Sequence, residues 1–254
     1  MTIGSRRLVS LLLPTLALAA AIGIWWLAKW AFHWPSFVVP SPAEVAHALW
    51  NRRSYFPSQS WTTLVETLEG FILSVIVGVA CAIAIAYSRL LERSIYPLLV
   101  AFNAVPKLAL APILVLWMGF GAGPKVVMVL LICVFPIVLS TATGLKSTPA
   151  ELEELIRSLS ASKLQSFRTV HFPSALPHIF VGLKVGISLA VIGAVIGEFV
   201  GATRGLGYVI VASGQNADTA LAFASIVILA VMSVVLFYAL VALERLIVPW
   251  ANHQ

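Results

Sequence analysis

Charge is scarce in this sequence: only 10% of its 254 residues are Asp, Glu, Lys or Arg, while 60% are hydrophobic. A water-soluble domain carries about a quarter of its residues charged, so a soluble globular fold is excluded. The mean hydropathy of +0.99 and several uncharged runs close to the roughly 20 residues that cross a bilayer describe an integral membrane protein. Cysteine is scarce too. Cys81 and Cys133 both fall in apolar runs and read as buried, unpaired core residues, pointing to neither redox chemistry nor metal binding. A G-x-x-x-x-G-K-[ST] phosphate loop is missing; the nearest stretch, from Gly119 through Gly121 and Gly123 to Lys125, has the wrong order. Also missing are a H-x-x-x-H pair, a G-x-S-x-G elbow and paired carboxylates at helical spacing within a span. The chain is therefore expected neither to hydrolyse ATP nor to act as an intramembrane enzyme.

What is present is an all-α membrane protein of six expected spans: Leu8 to Ala28, Phe71 to Tyr87, Tyr96 to Met118, Val126 to Leu145, Leu176 to Val200 and Leu221 to Leu243. The first has basic residues before it and Ala17-Leu18-Ala19 inside it, the form of a signal-peptide cleavage site. Its apolar run continues to Trp25 and Trp26, which suit an interfacial belt, so it reads as an uncleaved anchor. The chain is read as one transmembrane domain over residues 1–254: the anchor at 8–28, an amphipathic outer-face segment at 36–67, and a five-helix core at 68–245. Within the outer segment, Ser41 with Glu44 three residues on forms a capping box, and Trp50, Tyr55, Phe56 and Trp61 suit an interface.

With both termini in the cytoplasm, the inner segments hold Arg6, Arg7, Arg89, Arg93, Lys146, Arg157, Lys163, Arg168 and Arg245. The outer ones hold only Lys29, Arg52, Arg53, Lys125 and Arg204. The pI of about 9.6 then reflects membrane topology and gives no reason to expect nucleic-acid binding.

One long polar stretch interrupts the apolar pattern, the loop 146–173. Thr148, Pro149 and Glu151 read as cap, first helical residue and capping-box acid. Leu152, Leu155, Ile156 and Leu159 form an apolar stripe. Ser160 is placed to cap a second short helix carrying Leu164, Phe167 and Val170, which Pro173 would stop. Such a knob needs a groove, supplied by the chain's own helix ends or by a partner.

At this loop the sequence resembles the inner-membrane permease subunits of binding-protein-dependent ABC importers, whose motif runs E-A-A, three residues, G, nine residues, I-x-L-P. Glu154 matches the acid, Leu155 and Ile156 the alanines, Ser160 the glycine, and Val170, Phe172 and Pro173 the closing residues. The spacing is kept; the bulkier Leu155-Ile156 and the serine at 160 depart from it. VPSPAEV at 39–45, PKLALAPILVLWMGFG at 106–121, LPHIFVGLKVG at 176–186 and GEFVGATRGLGY at 197–208 extend the likeness toward the nitrate, sulfonate, taurine and bicarbonate branch.

The resemblance implies a type I importer architecture with a cytoplasmic coupling helix. Glu154, Arg157, Ser160, Ala161, Ser162, Phe167 and Pro173 would then engage an ABC ATPase subunit, which binds the ATP and Mg; this chain is expected to need no cofactor. A solute-binding protein and a second copy of the chain are the other implied partners, in the bacterial inner membrane. The implied cargo is a small solute, of anionic sulfonate or nitrate type. An ATP-independent carrier is the rival transport class, disfavoured because no inverted repeat is evident.

Three ionisable residues lie within spans, where a charge costs about 2.5 to 3.5 kcal/mol on insertion scales. Glu198 is expected either in an ion pair or helix cap, or lining a pathway. Lys184 either snorkels to the interface or faces the pathway. Lys107 either binds carbonyls freed by Pro106 and Pro112 or faces a pore. Rows of small residues, Gly182, Gly186, Ala190 and Ala194 beside Gly193, Gly197 and Gly201, with Gly70, Ser74 and Gly78 on the second span, suit close helix approach.

Overall fold

Backbone polar groups in a bilayer must find partners within the chain, and long apolar runs meet that demand by becoming helices. A computed structural model describes residues 3–250, with side chains from residue 12 onward, Arg157 excepted. In chain order the helices are α1 (Ile3–Phe32), α2 (Pro42–Asn51), α3 (Phe56–Tyr87), α4 (Arg89–Ala104), α5 (Ala111–Met118), α6 (Gly123–Lys146), α7 (Ala150–Ser158), α8 (Lys163–Ser166), α9 (Phe172–Glu198), α10 (Leu206–Gln215) and α11 (Thr219–Ile247). A 3-10 turn over Lys107–Leu110 precedes α5, and a π turn over Phe167–His171 precedes α9. Among the described residues, five stretches are long and apolar enough to cross a membrane, and six when α4 and α5 are taken as one bent span.

The break between α4 and α5 is sharper than the kink that Pro106 implies in the third span. The two halves meet at 86°. Pro106 offers no N–H and pushes Val105 out of the helical region, to φ −68 and ψ 130. Pro112 falls in the first turn of α5, where the missing donor costs nothing, and Pro136 lies inside α6.

A second difference concerns residues 56–67, expected on the outer face. They form the first turns of α3, and Gln59, Thr63, Glu66 and Thr67 on it are buried. The polar stripe is real, but it faces into the protein rather than toward water. Phe56 is buried as well, whereas Trp50 and Trp61 are exposed.

The described chain forms two compact units. One comprises the chain up to Pro57 with Val209–Ile228. In it the Ser41 hydroxyl accepts from Glu44 N at 3.2 Å and Ser41 N donates to Glu44 Oε2 at 2.6 Å, the expected capping box. Lys29 Nζ, at the end of α1, reaches Glu44 Oε2 at 2.9 Å. These bonds, with the Lys29 ammonium foremost, hold the Glu44 carboxyl down at about 2. Trp25 stacks on Phe223 at 5.7 Å.

The other unit, Ser58–Tyr208 with the chain from Leu229 onward, is organised around the closely packed pair α6 and α9. Its core holds Met128, Val129, Cys133 and Ile137 of α6 against Ile187, Ala190 and Ala194 of α9. Glycine is required where the backbones meet. A Cβ on Gly193 would lie 2.9 Å from the Val129 Cα, and one on Gly197 would lie 2.8 Å from the Lys125 Cα. Cys133 Sγ donates to Gly186 O at 3.2 Å, and Cys81 is a free thiol.

Candidate functional site

The loop 146–173 folds into two short helices joined by a tight turn, with different caps from those expected. Thr148 Oγ1 lies 3.1 Å from His171 Nδ1, and α7 starts at Ala150, behind Pro149, whose carbonyl accepts from Leu152 N and Glu153 N. The helix ends at Ser158, and Ala161 N donates back to Ile156 O at 3.3 Å. This six-to-one closure puts Ser160 at the position where a glycine usually sits, with φ of 50. The N-cap of the next helix is Ser162, in a capping box with Gln165, and not Ser160. A residue held at positive φ ends a helix and does not start one.

Pro173 does not stop the chain either. The π turn lets Phe172 N donate to Phe167 O, which absorbs the donor that Pro173 lacks, so Lys163–Glu198 runs through as one apolar stretch of 36 residues.

Of the expected coupling residues, Glu154, Ser160 and Ser162 are exposed and Ala161 is half-buried. Arg157 lies outside the residues whose side chains are described. Phe167 turns inward, edge-on to Tyr87 at 5.8 Å and beside Phe172 at 5.6 Å. Pro173 lines a groove of about 430 Å³ with Pro149, Leu152, His178 and Trp250. Most of the apolar stripe stays uncovered: Leu155 and Leu159 are 53% and 71% exposed and Leu164 of the next helix 59%, while Ile156 is half-buried. The chain's own helix ends do not provide the groove.

The three ionisable residues of the spans go to three places. Lys107 Nζ donates to Asn103 O at 3.1 Å and to Asn103 Oδ1 at 2.8 Å, taking a carbonyl that the break at Pro106 leaves free. It also lines a cavity of about 260 Å³ whose walls include Phe102, Leu131 and Phe135. Lys184 Nζ pairs with Glu244 Oε2 at 2.8 Å. Glu198 is 1% exposed; its Oε1 accepts from Thr63 Oγ1 at 2.7 Å and its Oε2 from Gly207 N at 2.5 Å. Both oxygens serve the start of α10.

Glu198 belongs to a buried polar cluster that motif reading missed. Lys125 Nζ meets Glu66 Oε1 at 2.5 Å. Gln59 Oε1 accepts from Gly205 N at 2.8 Å, and Thr63 Oγ1 accepts from Leu206 N at 2.8 Å. Gly205 has φ of +110, and any Cβ there would collide with the Glu198 carboxyl. A signal was available: Gln59, Thr63, Glu66, Gly70 and Ser74 fall on one helical face.

Compared with known proteins, residues 74–253 match the model of the family described as binding-protein-dependent transport system inner membrane component. The chain belongs to this family. The permease is 36% identical over 250 residues, 98% of its own length and 100% of the relative's, to the formylaminopyrimidine transport permease protein of Halalkalibacterium halodurans. It is 37% identical to the riboflavin transport system permease protein of Chloroflexus aurantiacus, over 85% of this chain and 82% of that one. With the taurine transport system permease protein of Escherichia coli identity is 29%, over 96% and 90%. Its fold is that of the permease chain in inward-facing structures of the MetNI methionine ABC transporter, with a TM-score of 0.65 at 20% identity, over 73% of this chain and 92% of that one. The permease is thus an all-α importer subunit of the type I architecture.

Proposed function

We propose that this permease forms, with a second copy of itself, the membrane pathway of an importer driven by separate ATPase subunits docked on the α7–α8 knob, with cargo handed over by an external solute-binding protein. The observation that carries this reading is the uncovered leucine stripe of Leu155, Leu159 and Leu164. An apolar helix face with an acid beside it, Glu154, suits a groove in another protein. Docking would use Glu154, Ser160, Ala161 and Ser162 directly, with Phe167 and Pro173 seating the knob on its own bundle. ATP and Mg belong to the ATPase, and the knob and both termini face the cytoplasm.

The cargo is a small solute. Lys107, beside Asn103, puts a positive charge on largely apolar cavity walls, which favours an anion in transit, of sulfonate or nitrate type. Phe102 and Phe135 in the same walls favour a second reading, a flat heterocycle, in keeping with the formylaminopyrimidine and riboflavin named for two relatives.

The test is uptake by proteoliposomes holding the permease with and without a co-expressed ATPase, and with Leu159→Asp in the knob. Uptake that needs both ATP and an intact stripe is expected. Uptake without the ATPase would replace this reading with an ATP-independent carrier.

A further inference from the structure

The buried cluster at the start of α10 has more acceptors than donors. Glu198 acts only as an acceptor, one oxygen taking the Thr63 hydroxyl and the other the Gly207 amide, with lone pairs left on both. Glu66 is 5% exposed; its Oε1 takes the Lys125 ammonium, and its Oε2 meets no donor among the described residues. The Glu198 carboxyl is its neighbour: Thr63, one turn before Glu66 on α3, donates to Glu198, and Gly197 packs against Lys125, which pairs with Glu66. Two carboxylates facing each other repel, and neither can donate.

Charge gives the same answer as the donor count. Glu66 and Glu198 carry two negative charges against the single positive charge of Lys125. The other charged group felt at the pair is Glu69, one turn along α3 and exposed, which adds repulsion. From the Gly205–Gly207 turn only backbone amides reach Gln59, Thr63 and Glu198, and Arg204 is exposed. A net negative charge enclosed in a membrane protein is unfavourable, and one proton removes it.

We propose that Glu66 and Glu198 form a proton-binding site: one proton resides on Glu66 Oε2 and is donated to the Glu198 carboxylate. The orphaned atom becomes a donor, the cluster becomes neutral, and the turn that starts α10 stays fastened to α3 and α9. The site is asymmetric. A glutamine at 66 reproduces a protonated glutamate, its oxygen accepting from Lys125 and its NH₂ donating to Glu198. A glutamine at 198 turns an NH₂ toward a donor, either the Thr63 hydroxyl or the Gly207 amide.

The full chain in lipid nanodiscs provides the test. Infrared spectra at about pH 8, where ordinary carboxyls are ionised, are expected to show the C=O stretch of a protonated carboxyl, lost in Glu66→Gln. Glu66→Gln should melt within about 2 °C of the parent, and Glu198→Gln well below it. Absence of the band from the parent, or its persistence in Glu66→Gln, overturns the proposal whether or not Glu198→Gln folds. So does a Glu66→Gln variant that melts as low as Glu198→Gln. Melting of the parent that rises with sodium, without the band, would overturn it in favour of a cation.

Discussion

Lys184 of α9 and Glu244 of α11 face each other across 60 residues of sequence, the ammonium 2.8 Å from one carboxylate oxygen and 3.1 Å from the other. Their side chains are only 22% and 18% exposed, so removing one partner strands the other in poorly hydrated surroundings. Lys184→Met or Glu244→Leu alone should cost about 2 to 3 kcal/mol, and the double variant should recover most of it. Thermal melting of the four proteins in one detergent measures the cycle; strictly additive losses would show that the pair is not coupled.

Ser160 holds φ of 50 at the end of α7, a conformation that glycine adopts without a Cβ penalty. Ser160→Gly should stabilise the knob by up to about 1 kcal/mol, and Ser160→Val should weaken it by more than that. Hydrogen exchange at Ala161, whose amide closes the turn, should slow in the glycine variant. Faster exchange there would assign the serine side chain a role of its own.

The Glu44 carboxyl, held at about 2 by Lys29, Ser41 and Ser36, titrates below its ordinary 4.5. Its contribution to the α1–α2 junction is complete above about pH 4.5 and fades as the pH falls toward about 2. Because the side chain is 41% exposed, solvent screening limits the effect to under about 1 kcal/mol. Amide exchange at Glu44 should quicken over that acid window, and Glu44→Gln should abolish the pH dependence.

Lys107 offers a positive charge at an apolar cavity while bonded to Asn103. If the charge assists an anion, Lys107→Arg retains uptake and Lys107→Gln loses about tenfold, equivalent to about 1.4 kcal/mol, with both variants assembling normally. Equal uptake by all three proteins would assign Lys107 to capping the broken helix.

Hydropathy made the spans legible, because a bilayer demands long apolar runs. The Ser41 box was legible because a cap is a local rule. Misreadings arose where one local pattern fits two environments. The polar face of Gln59, Thr63 and Glu66 looks the same whether it meets water or a buried partner, and the partners, Lys125, Glu198 and Gly205, are distant in sequence. At the knob, Ser160 and Ser162 are equal as N-caps by composition. Backbone geometry separates them, φ being 50 at one and −65 at the other. The bend at Pro106 was expected as a kink, but its size depends on how Val105 leaves the helix.

The unbroken passage of Lys163–Glu198 across the π turn makes one shaft of what the motif alone divides into a docking element and a span. At 1.5 Å per residue its 36 residues reach about 54 Å, from the Ser162 cap to the carboxylate that fastens Gly207. A helix resists stretching, and no loop lies between the two ends to absorb slack. An axial displacement at Ser162 therefore arrives at the start of α10 nearly undiminished, without a relay of side chains in between.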